Sequence, residues 1–264
     1  MTSTTQTPAT ASDRFTRLED AGRDLPYYNG TPTTITTAQW LLVLMAVVVA
    51  FLLLALPIDW PGEGLAGQFL PALLLPGLPL AALATVAGRH WRAIFGKVGM
   101  RELRLMVGFA LLNIVVSMSV GVVVKAMTEV TPNAANAILA GMGTGERVAY
   151  FAKMLPQLFG EEVITLLPFL ALLQWFTRNL GMGRKAGIIG AWLVSSLVFG
   201  LIHLPTYDWN FVQCIVIIGS ARMVLTLPWI LTKNIWVSTG AHVINDWLLF
   251  GMGILGAGLA AANT

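Results

Sequence analysis

Seven apolar runs, at residues 40–57, 65–87, 105–124, 151–175, 187–204, 211–231 and 235–261, occupy most of the chain beyond residue 36. Each is close to the ~20 residues a helix needs to cross ~30 Å of hydrocarbon, the fifth at the short end. In lipid, every backbone polar group must find its partner within the protein, so runs of this kind are helices. The expected fold is therefore an all-α, polytopic transmembrane bundle of about seven spans. Composition agrees, with 56% hydrophobic and 11% charged residues, against about 25% charged in soluble domains. The short connections leave no room for a second soluble unit. The predicted organisation is a polar, largely disordered segment at 1–36 followed by a transmembrane domain at 37–264. Within that polar segment the first dozen residues read as disordered and the rest as at most a short surface helix. The second run carries several prolines and is expected to be kinked or broken.

A net charge of +3 could suggest a nucleic-acid partner, but the distribution of the charge points to the bilayer instead. With a cytoplasmic N-terminus, the inner segments hold Arg14, Arg17, Arg23, Arg89, Arg92, Lys97, Arg101, Arg104, Arg178, Arg184, Lys185 and Lys233, twelve of the sixteen basic residues. The outer loops DWPGEG and PTYDWN carry acids and tryptophan, and Trp60 and Trp209 read as interface anchors. This is a positive-inside pattern, and it places the chain as an integral protein of the plasma membrane with no nucleic-acid partner. His90 falls in a basic inner loop and has no expected role in chemistry. The first apolar run lies behind a long polar leader and is not followed by a small-residue cleavage site, so a removed signal peptide is not expected. The single cysteine, Cys214, permits no internal disulfide and reads as a small buried hydrophobe.

Against this apolar background, a few ionisable groups stand out. Glu161 and Glu162 are adjacent in the fourth run, His203 ends the fifth, Arg222 lies in the sixth, and His242 and Asp246 lie in the seventh. A charged side chain at bilayer depth costs ~2.5–3.5 kcal/mol on insertion scales, so such groups face a bundle interior or a wet cavity and mark a functional site. Helical spacing aligns Phe199 with His203 and His242 with Asp246, each pair at i, i+4. Adjacent Glu161 and Glu162 are about 100° apart and cannot aim at one spot, so one is the active group and the other its hydrogen-bonding support. A carboxylate and a histidine sharing a water make an activated nucleophile. A second histidine with a polar i+4 partner can stabilise an oxyanion. Glu161, His203 and His242 would also suit zinc, so zinc activation of the water is the close variant. The HExxH metalloprotease signature is absent from the sequence.

The segments GEEVITLLPF, SSLVFGLIHLP and LTKNIWVSTGAHVINDW resemble the three motifs of the CAAX-protease and bacteriocin-processing (Abi) family of intramembrane proteases: EExxxR, FxxxH, and HxxxN or HxxxD. The resemblance covers roughly residues 150–250. It implies that Glu161 and His203 activate a water that attacks a peptide bond, and that His242 and Asp246 stabilise the oxyanion, with metal-free glutamate chemistry. The implied substrate is a membrane-associated or lipid-modified polypeptide. Phe199 is expected to pack against its own helix neighbours. One position departs from the pattern: the motif arginine is Leu166 here. Arg222 is the candidate replacement, with Glu162 and Asp246 as the acids it would meet; the alternative is that Arg222 snorkels to an interface.

Two other functions remain open at this stage. A degenerate family member could serve as a membrane scaffold or bacteriocin-immunity factor, and a transporter would also place acids and histidines in spans. Every candidate group lies in the second half of the chain, with no repeat in the first, which is unlike a transporter's paired halves. Run boundaries alone put His203, Glu161 and His242 at different depths. Small residues at Ser238, Gly240 and Ala241 are expected to permit close helix approach.

Overall fold

The helix at the centre of the bundle is the least apolar of its candidate spans. In the computed structural model, which describes residues 14–15, 19–62 and 64–262, α5 (Thr144–Arg178) has a mean hydropathy of 1.4 and 72% of its span is buried. By contrast α1 (Thr37–Ala55) and α3 (Met100–Met127) have mean hydropathies of 2.6 and 2.3, with 17% buried. The most apolar helices turn their side chains outward and the most polar one is enclosed, as expected where the surroundings are lipid. Leu41, Met45, Val48, Val115, Met118 and Val122 are all exposed large hydrophobics on those two outer helices.

Each long apolar run forms a helix. The remaining elements are α2 (Phe69–Ala87), the short α4 (Ala134–Gly141), α6 (Arg184–Ile202), α7 (Gly219–Thr232) and α8 (Ile235–Ala262). Among the described residues six helical segments are long and apolar enough to cross a membrane, and they coincide with the first six runs. The seventh run, α8, is long enough but carries Ser238, Thr239, His242, Asn245 and Asp246 in its first half. Six of the about seven expected spans are thus met by length and apolarity among the described residues, and the seventh run forms a 28-residue helix. Helix α2 runs through Pro76 and Pro79 without a break, and α4, too short to span, is an element the hydropathy did not separate.

Helix starts follow local chemistry. The Thr36 hydroxyl accepts from the Gln39 backbone N–H while the Gln39 side chain accepts from the Thr36 N–H, closing a capping box at α1. Glu102 and Glu146 accept from the backbone N–H groups of Gly99 and Gly143 at the starts of α3 and α5. Helix α5 packs against α1, α2, α6 and α8, while α3 packs against α7 and α8. Gly240 of α8 lies so close to Met106 of α3 that no Cβ would fit without moving it, as the small-residue stripe predicts.

Residues 19–36 differ from the expected short surface helix. They run without helix across the end of the bundle and bury Leu25, Tyr27, Tyr28 and Ile35 in the core. An ion network holds them there. Glu19 pairs with Arg184 and, at 2.9 Å, with Lys233, and Asp24 pairs with Arg184 at 2.7 Å. The Asp20 N–H donates to the Leu231 carbonyl, and the Tyr27 hydroxyl donates to the His90 carbonyl. Composition concealed this because the segment's few apolar residues have no helical period, and its charges pair with residues far along the chain. The disorder expected of the first dozen residues lies outside the described residues.

Candidate active site

Glu162 and Glu161 sit near the midpoint of α5, and their neighbouring positions on the helix send them into different environments. Glu162 is buried, 3% exposed. Both of its oxygens are held by the Arg222 guanidinium of α7, Nη1 donating to Oε1 at 2.7 Å and Nη2 to Oε2 at 2.9 Å. The His242 Nδ1 of α8 also lies 2.9 Å from Oε1. A carboxylate only accepts, so Nδ1 carries the proton and Nε2 is the ring atom left for other partners. Glu161 has looser ties. Its Oε1 accepts from Gln157 at 3.2 Å, and its Oε2 lies 3.8 Å from His242 Nε2. That second distance is beyond a direct hydrogen bond and suits a bridging water.

His203 caps the C-terminal end of α6, and its Nδ1 lies 2.8 Å from the Phe199 carbonyl. A carbonyl accepts, so Nδ1–H donates and Nε2 is free to accept. The Phe199 ring packs against His203 at 4.6 Å between centroids, tilted by 42°, and lies beneath the Arg222 guanidinium at 5.0 Å. Phe199 therefore reaches beyond its own helix and joins the Glu162–Arg222 pair to His203. On α8, Asp246 Oδ1 lies 3.7 Å from His242 Nε2 and accepts from Asn245 at 2.8 Å. Asn245 in turn accepts from Asn113 of α3 at 3.0 Å.

Two cavities meet at this cluster. One, of 550 Å³, is lined by Asn113, Tyr150, Glu161, His203, His242 and Asp246, among others. The larger, of 1010 Å³, opens between α1, α2 and the 204–209 segment and is lined largely by apolar side chains. Gln157, Glu161, His203 and Thr206 line both, so Glu161 and His203 stand where the two join. Trp60 and Trp209, read as interface anchors, line the larger one.

All seven residues singled out in the sequence are thus gathered in one neighbourhood, despite the differing depths their runs implied. Leu166, at the motif's arginine position, is buried and apolar, while a cation reaches Glu162 from α7 instead. Sequence reasoning missed Asn113, Asn245, Gln157 and Lys153. Asn113 had a signal as a lone amide inside an apolar run. Lys153, Gln157 and Glu161 had another, lying at successive i, i+4 positions on one face of α5. Among the described residues no three His, Cys, Asp or Glu are grouped so as to hold a metal ion. Glu161, His203 and His242, the set expected for the zinc variant, are not such a group.

Residues 144–248 match the family described as type II CAAX prenyl endopeptidase, Rce1-like, which bears out the resemblance carried by the three motifs. No curated protein and no solved structure matches the chain.

Proposed function

With residues 144–248 placed in the CAAX prenyl endopeptidase family and the chain built as an integral membrane helix bundle, we propose that this protein is a metal-free, glutamate-type intramembrane endopeptidase. The observation that carries the reading is the division of labour between the adjacent acids. Glu162 is neutralised and immobilised by Arg222, while Glu161 keeps an oxygen directed to the cavities beside His203 and His242.

The reaction follows from those positions. Glu161 takes a proton from a water as the water oxygen bonds to the scissile carbonyl carbon, and His203 Nε2 accepts the water's other hydrogen bond. Negative charge then develops on the carbonyl oxygen. The His242 ring, oriented by Glu162 at Nδ1, presents Nε2–H to it when doubly protonated, and Asp246, fixed by Asn245, balances that cation. The carbon–nitrogen bond breaks as Glu161 returns its proton to the leaving nitrogen, giving a free amine and a carboxylic acid whose remaining proton is lost to solvent. The substrate is a polypeptide at the membrane, taken from the family to be a lipid-modified C-terminus, with the larger apolar cavity as its entry. The Lys and Arg distribution supports a cytoplasmic N-terminus in the plasma membrane.

The test is cleavage of a farnesylated CAAX peptide by the purified protein in detergent micelles. Wild type releases the C-terminal peptide and Glu161→Gln does not, while retaining the wild-type unfolding temperature. Cleavage that survives in Glu161→Gln removes the mechanism. A phenotype in cells that survives Glu161→Gln, with no cleavage by either protein, favours the scaffold or immunity reading.

A further inference from the structure

Lys153 is a cation enclosed in the membrane domain, and the catalytic steps above do not use it. It lies on α5 two turns before Glu161 and is 7% exposed. Its ammonium donates to Gln157 Oε1 at 2.9 Å and sits 4.7 Å from the centre of the Tyr150 ring. Neither partner carries a negative charge, although buried charges are normally paired with an opposite one. Lys153 is also the one Lys or Arg among the described residues lining the 1010 Å³ cavity, whose other charged or titratable lining residues are Asp59, Glu161 and His203. A substrate with a free C-terminal carboxylate in that cavity would bring a second negative charge towards Glu161. It needs a cation to offset the repulsion and the loss of water.

Resting on the endopeptidase reading above, we infer that Lys153 is the specificity-determining residue that binds the α-carboxylate of the substrate's C-terminus. The spacing fits. Lys153 is joined to Glu161 through one amide, by hydrogen bonds of 2.9 and 3.2 Å. A peptide advances ~3.3–3.6 Å per extended residue, so two or three residues bridge the scissile bond at Glu161 and a carboxylate at Lys153. On binding, the carboxylate accepts a charge-assisted hydrogen bond from an ammonium N–H that is not committed to Gln157. The same ladder lets Gln157 report occupancy of one end to the other, because its amide holds both Lys153 and Glu161.

The experiment uses the full-length protein in micelles and two farnesylated CAAX peptides, identical except that one ends in a carboxylate and the other in a carboxamide. Wild type favours the acid by about 10- to 100-fold in kcat/KM, mainly through KM, the range expected for a hydrogen bond to a charged group. Lys153→Met brings the acid-to-amide ratio towards one, and Lys153→Arg keeps a preference for the acid. Both peptides meet the same folded population, so the ratio is insensitive to any loss of stability in the variant. A wild-type ratio near one, or an unchanged ratio in Lys153→Met, overturns the role of Lys153 and leaves the endopeptidase standing. Failure of wild type to cleave either peptide overturns both.

Discussion

The Arg222 guanidinium of α7 holds both carboxylate oxygens of Glu162 of α5, at 2.7 and 2.9 Å, across a separation of 60 residues in the chain. Planar bidentate pairing of this kind fixes orientation as well as charge. It also accounts for Leu166: the cation expected one turn along α5 arrives from another helix, so the carboxylate is neutralised by tertiary packing.

Removing that cation should therefore be costly, and restoring it at the old position should help. Arg222→Leu leaves Glu162 as an unpaired buried charge and is expected to lose about 3–5 kcal/mol of stability. Adding Leu166→Arg returns a guanidinium one turn from Glu162 on the same helix face. The double variant should recover a clear part of the loss, read as the unfolding midpoint in micelles. If Leu166→Arg lowers the midpoint further in the Arg222→Leu background, the two positions are not exchangeable sources of the charge.

The ion network outside the spans predicts sensitivity to acid. Burial by itself would raise the pKa of Glu19, but the hydrogen bonds from Arg184 and Lys233 prevail and hold it at about 2, against an ordinary 4.5. A group with a depressed folded-state pKa contributes stability that is present above its unfolded value and lost as pH falls towards the folded value. Wild type should lose this contribution between about pH 4.5 and 2. Glu19→Gln should begin lower, by about 3–5 kcal/mol at neutral pH, because Lys233 is left buried beside a neutral group. The difference between the two proteins should shrink as pH is lowered through that window; unfolding midpoints measured against pH check it.

Gly200 should be intolerant of any side chain. A Cβ there would stand 2.5 Å from the backbone carbonyl oxygen of Cys214, within the π-helical turn Gln213–Ile218 that leads into α7. Backbone cannot yield as a flexible side chain can. Gly200→Ala is thus expected to cost about 1–3 kcal/mol and to reduce cleavage, since the displaced end of α6 carries His203. Gly108→Ala is the control, because a Cβ at Gly108 meets nothing within 4 Å, and it should be neutral or slightly stabilising. Equal melting temperatures for the two variants would show that the α6–α7 contact is not tight.

Much of the site was legible in one dimension. Glu161, Glu162, His203, Arg222, His242 and Asp246 are ionisable residues that interrupt apolar runs, and their expense in lipid already argued that they face inward; Lys153 interrupts the same run as the two acids but lies near its end, where it read as part of an outer border. The i, i+4 pairing of His242 with Asp246 followed from helical geometry alone. Asn113 and Asn245 escaped notice because a neutral amide is a weaker anomaly in a span than a charge. The fold of residues 19–36 was illegible for a different reason. Its anchors are Arg184, Lys233 and the carbonyls of His90, Ala93, Phe95 and Leu231, none of them near it in the chain.

The sequence by itself determined that the chain forms membrane helices, because backbone groups in lipid must be satisfied within each run and the runs have the necessary length. It also determined which polar side chains had to be enclosed. Only the tertiary structure decided which of two adjacent acids is locked and which is left facing the cavities, and from which helix the compensating cation comes. Those outcomes depend on how α5, α7 and α8 are rotated and set in depth against one another. Hydropathy averages over a run and carries no record of either quantity, whereas a 2.7 Å contact between Arg222 and Glu162 exists only once both are fixed.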